Sequence, residues 1–412
     1  MIAMRTVGVI VEYNPFHNGH HYHLQQAKEV SSAQAVVAVM SGYFLQRGEP
    51  ALIDKWSRAE MALRGGADLV LELPVLYACQ PAEWFAFGAV ATLEATGIVD
   101  ALCFGSESGN LNWMRELTST LVQEPPSFKV MLQRYLKQGW SYPKAYSHTL
   151  QHFHPDLQHT LTKPNTILGL SYLAALHKIN SPITPYTIRR EKAGYHDARP
   201  SDKRIASATA IRNKWVEVGD VDLIEPYVPA TTYRILKTSI ERGVQPITWE
   251  SLHQALIAKL ISESSEQLSQ YYGVVEGLEY RLKQQLPHAK TVQSYVDAIK
   301  TKRYTWNRVQ RILTYILLGL RQSDVDQHVL AKGPTYLRVL GFNEHGRKLL
   351  KKMKKTAKQP VVTRIKQQRP SMLDWDLRAA AMYALATEWK VPYKEEFDRA
   401  PVDVSTGDHD LG

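Results

Sequence analysis

The feature that most constrains the fold is an alternation of short β-branched apolar runs with amphipathic stretches in the first half of the chain. Apolar runs predict strands at Val7–Val11, Ala35–Met40, Leu69–Leu71, Ala101–Phe104 and Thr184–Ile188. Helical periodicity marks Tyr22–Val30 and Trp56–Arg64 between them. Strands that alternate with helices pack into a parallel sheet covered on both faces. We therefore predict an α/β fold with a Rossmann-like, doubly wound parallel sheet, whose ligands lie outside the carboxyl ends of the strands.

The pattern changes near residue 215, where long stretches with a 3.6-residue period begin. A length of 412 residues suits two domains. We predict a nucleotide-binding domain over residues 1–215 and a mainly helical, basic domain over 216–394. Six acids against one arginine from Glu395 onward predict a disordered acidic tail over residues 395–412.

Composition restricts the class of protein. Hydrophobic residues make up 44% of the chain, which is enough for a sizeable core. No apolar run approaches the roughly 18 residues that a membrane helix needs. Cys79 and Cys103 lack the CxxC spacing of a zinc or redox site, so we expect no disulfide framework, no metal held by cysteine and a reducing cytoplasm.

Positive charge is concentrated in one segment. The formal net charge is +10, and residues 331–370 alone carry twelve Lys and Arg against one acid, Glu344. A local basic excess favours a polyanionic partner, although a solvated helix face is the alternative.

The strongest chemical signal follows the first strand, in the segment Glu12-Tyr13-Asn14-Pro15-Phe16-His17-Asn18-Gly19-His20. A helix that begins here offers backbone N–H groups to a phosphate, and Gly19 allows close approach to the backbone. Two imidazoles three residues apart can stabilise the charge that develops when an α–β phosphate bond breaks. Two alternatives are structural histidines and a metal site of His17, His20 and His23. The metal site is disfavoured because residues six apart lie on opposite sides of a helix.

The His17-to-His20 sequence HxGH, preceded by Asn14-Pro15, resembles the HxGH nucleotidyltransferase superfamily. Further segments resemble the bacterial tRNA(Met) cytidine acetate ligase family up to about Leu385. They are residues 40–50 (MSGYFLQRGEP), 55–63 (KWSRAEMAL), 104–107 (FGSE), 163–169 (KPNTILG), 207–212 (SATAIR) and 301–306 (TKRYTW). This resemblance implies that acetate and ATP form acetyl-adenylate and pyrophosphate. The acetyl group then passes to the exocyclic amine of the wobble cytidine of elongator tRNA(Met), and magnesium is expected with the phosphates.

The same resemblance implies the ATP site, with His17 and His20 as the catalytic residues on the phosphates. The loop residues are Ile10, Val11, Glu12, Tyr13, Asn14, Pro15, Phe16, His17, Asn18, Gly19, His20, His21, Tyr22 and His23. Beyond the loop, the implied residues are Gly105, Asn165, Arg189, Arg190, Ser207, Thr209 and Arg212. Only one of the two adjacent arginines is expected to face the nucleotide. A plain helix cap remains the alternative for Asn165 and for the helix that begins near Ser207. The acetate contacts stay open, with Ser41, Gly42 and Gln46 as candidates.

Two basic regions are predicted to bind the tRNA. The first mixes cations with Tyr304 and Trp306, which suits phosphates and unpaired bases; its cations are Lys302, Arg303, Arg308 and Arg311. The second is a basic amphipathic helix with Lys351, Lys352, Lys354 and Lys355, although a membrane-surface or protein-partner helix shows the same pattern. Two other functions remain open: a nucleotidyltransferase that adenylates a small phosphorylated metabolite, and a non-catalytic RNA-binding protein.

Overall fold

A mixed, mainly parallel β-sheet organises the protein, as a computed structural model describes it for residues 4–123, 125–153, 163–189 and 206–405. The strands are β1 (Thr6–Val11), β2 (Ala35–Ser41), β3 (Leu69–Leu73), β4 (Ala101–Ser106), β5 (Thr184–Arg189), β6 (Leu337–Phe342), β7 (Val361–Val362) and β8 (Val402–Asp403). Their order is β5-β4-β1-β2-β3-β6-β7, with β8 beside β6. Strands β1 to β5 are parallel, and β6 is antiparallel to β3.

Helices cover the sheet and form most of the second half. In the first half they are α1 (Asn18–Ser31), α2 (Lys55–Arg64), α3 (Val75–Ala78), α4 (Ala82–Thr96), α5 (Leu111–Gln123), α6 (Pro126–Lys137), α7 (Tyr142–Phe153), α8 (Pro164–Lys178) and α9 (Ala208–Val218). In the second half they are α10 (Ala230–Glu241), α11 (His253–Ser262), α12 (Ser265–Leu268), α13 (Leu278–Gln284), α14 (Val292–Ile299), α15 (Trp306–Leu318), α16 (Gln327–Ala331), α17 (Glu344–Thr356), α18 (Leu373–Ala386) and α19 (Glu395–Asp398). Short 3-10 helices span Val221–Tyr227, Trp249–Leu252 and Leu286–His288.

The sheet is buried on both faces, which explains why its strands are almost uniformly apolar. In β2, Val36 and Ala38 pack toward α1, α2 and α9, whereas Val37 and Val39 pack toward α4 and α8. The hydrophobic cluster that contains Val37 and Val39 also contains Leu313 of α15. The predicted α/β fold with a parallel sheet and a mainly helical second half is confirmed, and each predicted strand lies within one of β1 to β5. The proposed boundary at residue 215 falls inside α9 and stays a prediction.

The predicted disordered tail is wrong for residues 395–405. This segment forms α19 and β8, and the side chain of Glu396 is buried. Lys55 Nζ lies 2.9 Å from Glu396 Oε2 and 2.8 Å from Glu72, and Arg338 lies 3.1 Å from Glu396. Acid content alone suggested solvation, because the two cations that neutralise Glu396 are distant in sequence.

The carboxyl ends and the amino ends of the parallel strands form two separate edges of the sheet. Strands β1 to β5 are parallel, so their carboxyl ends lie at one edge of the sheet. The chain passes from β1 to β2 on one side of β1, and β4 lies on the other side of β1. Six residues of strand separate this edge from the amino edge by roughly 20 Å. Among the described residues, no helix has the length and apolar character that a membrane span requires. Cys79 and Cys103 are buried, reduced thiols, and burial raises the pKa of Cys103 to about 12.

Candidate active site

The HxGH segment forms the turn between β1 and α1. His17 is the N-cap of α1, and its Nδ1 accepts the Gly19 N–H at 3.0 Å. His20 Nδ1 accepts the His17 N–H at 3.3 Å. The two rings stack with their centroids 3.6 Å apart. Because Nδ1 is an acceptor in both rings, each neutral imidazole carries its hydrogen on Nε2 and presents a donor there.

Backbone and side-chain contacts fix this turn. Asn14 Oδ1 accepts the Leu52 N–H at 2.8 Å, and the Asn14–Pro15 peptide is cis. Phe16 is fully buried against Gly65, where an added Cβ would fall inside van der Waals contact with the ring. Tyr13 packs edge-on against His20 with ring centroids 4.8 Å apart. These contacts hold the turn in place.

The structure shows a second reason for glycine at position 19, which the sequence alone does not reveal. A Cβ at this position would lie 2.9 Å from His17 Cε1. The glycine therefore makes room for the histidine that caps the helix, in addition to the close phosphate approach predicted for it.

The remaining loop residues divide between the site and the scaffold. Ile10 and Val11 belong to β1, and Tyr22 is 42% exposed on α1. His21 Nδ1 lies 2.9 Å from Gly65 O, on the side of α2. Asn18 donates to Pro226 O at 3.1 Å, and His23 lies on the same helix. The described residues contain no group of three His, Cys, Asp or Glu side chains placed to hold a metal ion, so a histidine metal site gains no support.

The carboxyl end of β4 brings the second half of the predicted ATP site beside β1. Gly105 and Ser106 end this strand, and Ser106 pairs in register with Arg189 of β5. The neighbouring strands β1 and β4 flank the switch point where nucleotides bind in such sheets. Arg189 is exposed at the strand end, and its Cβ packs against Gly109. Arg190 lies outside the described residues.

Asn165 lies at this edge but is held by a residue that the sequence analysis missed. Its Nδ2 donates to Glu107 Oε1 at 2.8 Å, and Thr166 N donates to Glu107 Oε2 at 2.8 Å. Glu107 thus caps the N-terminus of α8. Burial raises the pKa of Glu107, but the hydrogen bonds from Asn165 and Thr166 outweigh it and leave the pKa lowered.

Helix α9 closes the site from the other side. Ser207 is its N-cap and accepts the Ala210 N–H at 3.1 Å, so the capping role exists. Arg212 Nη1 donates to Asn14 O at 3.1 Å, and its Nη2 donates to Thr209 Oγ1 at 3.3 Å. The helix start and its arginine are therefore attached directly to the HxGH turn.

A second missed residue, Arg58, clamps the ends of β1 and β2. This fully buried guanidinium donates to Glu12 O at 2.7 Å, to Ser41 O at 3.0 Å and also to Gly42 O. Burial lowers the pKa of Arg58. Residues 55–63 belong to the segments that carry the family resemblance, but the sequence of this segment does not indicate that the Arg58 side chain is buried.

Glu12 points away from α1, toward the loop after β2. Its Oε1 accepts the Gln46 N–H at 2.8 Å. Burial raises the pKa of this carboxyl, with the Gln46 hydrogen bond acting against the shift. Glu12 therefore contributes its backbone to the HxGH turn and its side chain to the β2 side of the site.

The first predicted tRNA region adjoins this edge. Lys302 and Arg303 are exposed, and Arg303 pairs with Glu276 at 2.8 Å. Arg308 stacks over Tyr304 with its guanidinium carbon 4.5 Å from the ring centroid. Arg311 is instead half-buried, and its Nη1 lies 3.5 Å from Gln46 O.

The second predicted tRNA region lies at the opposite edge. Helix α17 begins where Asn343 Nδ2 donates to Asp68, just before β3, and ends where Thr356 Oγ1 donates to Thr96 O at the end of α4. Both contacts belong to the amino edge of the sheet. Leu349 and Met353 are buried beneath the helix, and its outer face is exposed at Lys351, Lys352, Lys354 and Lys355. Arg338, counted among the cations of residues 331–370, is buried among Glu72 and Glu396 and contributes nothing to this surface.

A doubly wound sheet with a stacked HxGH pair at a helix N-terminus defines a nucleotidyltransferase. The sequence model of the family described as HIGH Nucleotidyl Transferase matches residues 4–398, and the chain belongs to this family.

Relatives of known name match along nearly the whole chain. The sequence is 41% identical over 403 residues to the tRNA(Met) cytidine acetate ligase of Halothermothrix orenii, which covers 93% of this chain and 95% of that protein. It is 42% identical over 413 residues to the protein of the same name from Alkaliphilus metalliredigens, covering 96% and 97%.

Solved structures agree. The crystal structure of Thermotoga maritima TmcAL in its apo form superimposes with a TM-score of 0.92 at 35% identity, covering 98% of this chain and all of that one. The same protein bound with alpha-thio ATP gives a TM-score of 0.90 at 34% identity.

Proposed function

We propose that this protein is an ATP-dependent tRNA(Met) cytidine acetate ligase. The observation that carries the proposal is the extent of the match, because relatives with this name align with the helical and basic second half as well as with the nucleotidyltransferase sheet. A nucleotide site alone would fit many substrates.

In the first step, a carboxylate oxygen of acetate attacks the α-phosphorus of ATP, and the bond to pyrophosphate breaks. The Nε2–H groups of His17 and His20 donate to the phosphate oxygens as negative charge moves onto the leaving pyrophosphate. The N-terminus of α1 adds backbone N–H groups and the positive end of its dipole.

The predicted nucleotide contacts follow from the same arrangement and remain proposals. Gly105 gives adenosine a flat backbone surface at the end of β4, and Asn165, held by Glu107, faces the ribose or base. Arg189 and Arg190 follow β5, and Ser207, Thr209 and Arg212 supply hydroxyl groups and positive charge to the distal phosphates. We infer that magnesium arrives with the triphosphate as part of the substrate.

In the second step, the wobble cytidine amine attacks the acetyl carbon and AMP leaves. Adenylation makes this possible, because AMP is a far better leaving group than an oxide ion. The main contribution of the protein is to hold the two reactants together.

We infer that elongator tRNA(Met) enters along the cations of residues 302–308, which adjoin the carboxyl edge. Backbone contacts by Lys302, Arg303 and Arg308 would set the position of the anticodon arm. The lysines of α17 lie at the amino edge of the sheet, so they would contact a different part of the same elongated RNA. Such an enzyme acts where tRNA is, which fits a cytoplasmic location.

The test is to incubate the protein with ATP, radioactive acetate and elongator tRNA(Met), and to digest the RNA to nucleosides. Label in acetylcytidine that depends on ATP and on a wobble cytidine supports the proposal. A tRNA(Met) variant with wobble uridine is the matched control. The proposal is contradicted if no labelled nucleoside forms while the protein still uses ATP to activate another carboxylate or a metabolite.

A further inference from the structure

Three elements meet beside the HxGH turn, on its β2 side: the end of β1, the loop after β2 and the first turns of α15. Glu12 follows β1, Gln46 lies in the loop and Arg311 lies on α15. The backbone N–H of Gln46 donates to Glu12 Oε1 at 2.8 Å, and its backbone carbonyl faces Arg311 Nη1 at 3.5 Å. The backbone of Gln46 therefore contacts the Glu12 carboxylate through its N–H and the Arg311 guanidinium through its carbonyl oxygen.

Tight packing fixes Arg311 at this position. Gly48 has φ +82°, and a Cβ there would lie 2.5 Å from the Arg311 backbone nitrogen. Thr314 Oγ1, one turn further along α15, donates to Gly48 O at 2.5 Å. Helix α15 and the loop after β2 therefore form a single rigid wall of the site.

The two charged groups do not pair with each other, and each contacts a different backbone atom of Gln46. Glu12 Oε2 has no hydrogen-bond partner among the described residues, and both side chains keep part of their surface accessible. Burial raises the pKa of Glu12, although the Gln46 hydrogen bond, Arg212 and Arg47 act against the shift, and burial lowers the pKa of Arg311. Partly buried charges whose surroundings do not fully compensate them are costly and point to a ligand.

We propose that Glu12 and Arg311 form the pocket for the acceptor cytosine, with Glu12 Oε2 accepting from the exocyclic amine and Arg311 donating to the base's ring nitrogen and carbonyl oxygen. This inference rests on the proposed function and assigns residues to its second step.

Hydrogen-bond complementarity selects cytosine over acetate as the occupant. Cytosine presents an amine donor beside two acceptors, which matches a carboxylate beside a guanidinium. Acetate offers acceptors only, and it would place a second negative charge against Glu12. The approach also fits, because Arg308 precedes Arg311 by one helical turn and Lys302 and Arg303 precede both. The basic surface for the RNA backbone thus leads directly to the pocket.

Glu12 also has a chemical role in this arrangement. The amine nitrogen forms a bond to the acetyl carbon, and the bond between that carbon and the AMP oxygen breaks, with its electron pair leaving on AMP. The proton that the nitrogen loses passes to Glu12 Oε2 and then to solvent. General-base assistance of this kind contributes about 100-fold to 10,000-fold to rates.

The experiment compares wild type, Glu12→Gln and Glu29→Gln. Glutamine at position 12 keeps an oxygen for the Gln46 N–H but removes the base, and Glu29→Gln makes the same change of charge at an exposed position near the C-terminal end of α1. Two quantities are measured: the ratio of single-turnover acetyl transfer to acetate-dependent pyrophosphate exchange, and the preference in binding for wobble cytidine over wobble uridine. Glu12→Gln is expected to lower the ratio about 100-fold. It also relaxes a roughly tenfold base preference to less than twofold, because an amide tolerates uracil's carbonyl oxygen.

The control is expected to keep both quantities within twofold of wild type. Equal losses of transfer and exchange in Glu12→Gln overturn the proposal, since Glu12 would then act in adenylation. An unchanged ratio and base preference also overturn it. If Glu12→Gln fails to fold, Arg311→Gln serves in its place and must lose the base preference, while a raised KM for acetate instead would assign Arg311 to acetate. Wild-type protein without any acetate-dependent exchange refutes the proposed function itself, which is a separate outcome.

Discussion

Replacing Glu396 with alanine is predicted to destabilise the whole protein, although this residue lies sixteen positions before the last residue of the chain. Its Oε1 accepts from Tyr43 OH at 2.6 Å and from Trp56 Nε1 at 2.8 Å. Its Oε2 faces Lys55 and Arg338, and all of these groups are buried. Without Glu396, Glu72 is the carboxylate among the described residues that still forms ion pairs with both cations.

Breaking a buried ion pair by removing one partner costs about 3–5 kcal/mol. With an unfolding entropy of about 2.1 cal/mol/K per residue, this corresponds to a fall in Tm of about 4–6 °C for a chain of this length. Scanning calorimetry at a fixed scan rate measures it. Glu395→Ala is the matched control, because Glu395 is exposed and pairs at the surface with Arg399 at 3.2 Å. Equal Tm values for the two variants would refute the buried cluster.

The contribution of Glu396 to stability depends on pH, and the sign of this dependence follows from its pKa. Burial raises the pKa of Glu396, but Lys55 and Arg338 outweigh burial and leave it below its ordinary value of 4.5. The unfolded chain therefore binds the proton more readily. The contribution of Glu396 is complete above about pH 4.5 and is lost as the pH falls through the lower, folded pKa. The Tm difference between wild type and Glu396→Ala is expected to shrink in acid, and a difference that grows would contradict this sign.

Three further predictions concern the site. His20→Ala removes one phosphate donor, so pyrophosphate release is expected to fall at least 100-fold while the tRNA dissociation constant changes less than twofold; wild-type turnover would exclude this role. Gly65→Ala overpacks Phe16 beneath the HxGH turn and is expected to cost about 1–3 kcal/mol, measured by thermal unfolding, and an unchanged Tm would mean that the turn yields. Replacing the α17 lysines by glutamine should flatten the salt dependence of tRNA binding, by a slope of up to about 3, without altering pyrophosphate exchange, whereas an unchanged slope removes α17 from the RNA surface. The residues changed in that variant are Lys351, Lys352, Lys354 and Lys355.

The strands and the HxGH turn were predictable because their determinants are local. Val36 and Val37 face opposite sides of the sheet, yet both must be apolar, and the resulting run identifies β2 from sequence alone. The spacing of His17 and His20 likewise fixes a capping arrangement within one turn of helix.

The residues that sequence reasoning missed act across long distances in the chain. Glu107 caps α8 through Asn165, 58 positions away, and Glu396 is neutralised by Lys55, 341 positions before it. Acidic residues near a terminus suggested a solvated tail because their partners carry no local pattern. Arg338 misled in the same way, since a basic segment does not reveal which of its cations is buried.

The most direct test of the proposed adenylation step is acetate-dependent exchange of labelled pyrophosphate into ATP by the purified protein, without tRNA. We expect exchange with acetate, much weaker exchange with longer carboxylates, none with phosphorylated metabolites, and a loss of at least 100-fold in His20→Ala. Exchange that requires a phosphorylated metabolite, or acetate-dependent exchange that survives in His20→Ala, would contradict it.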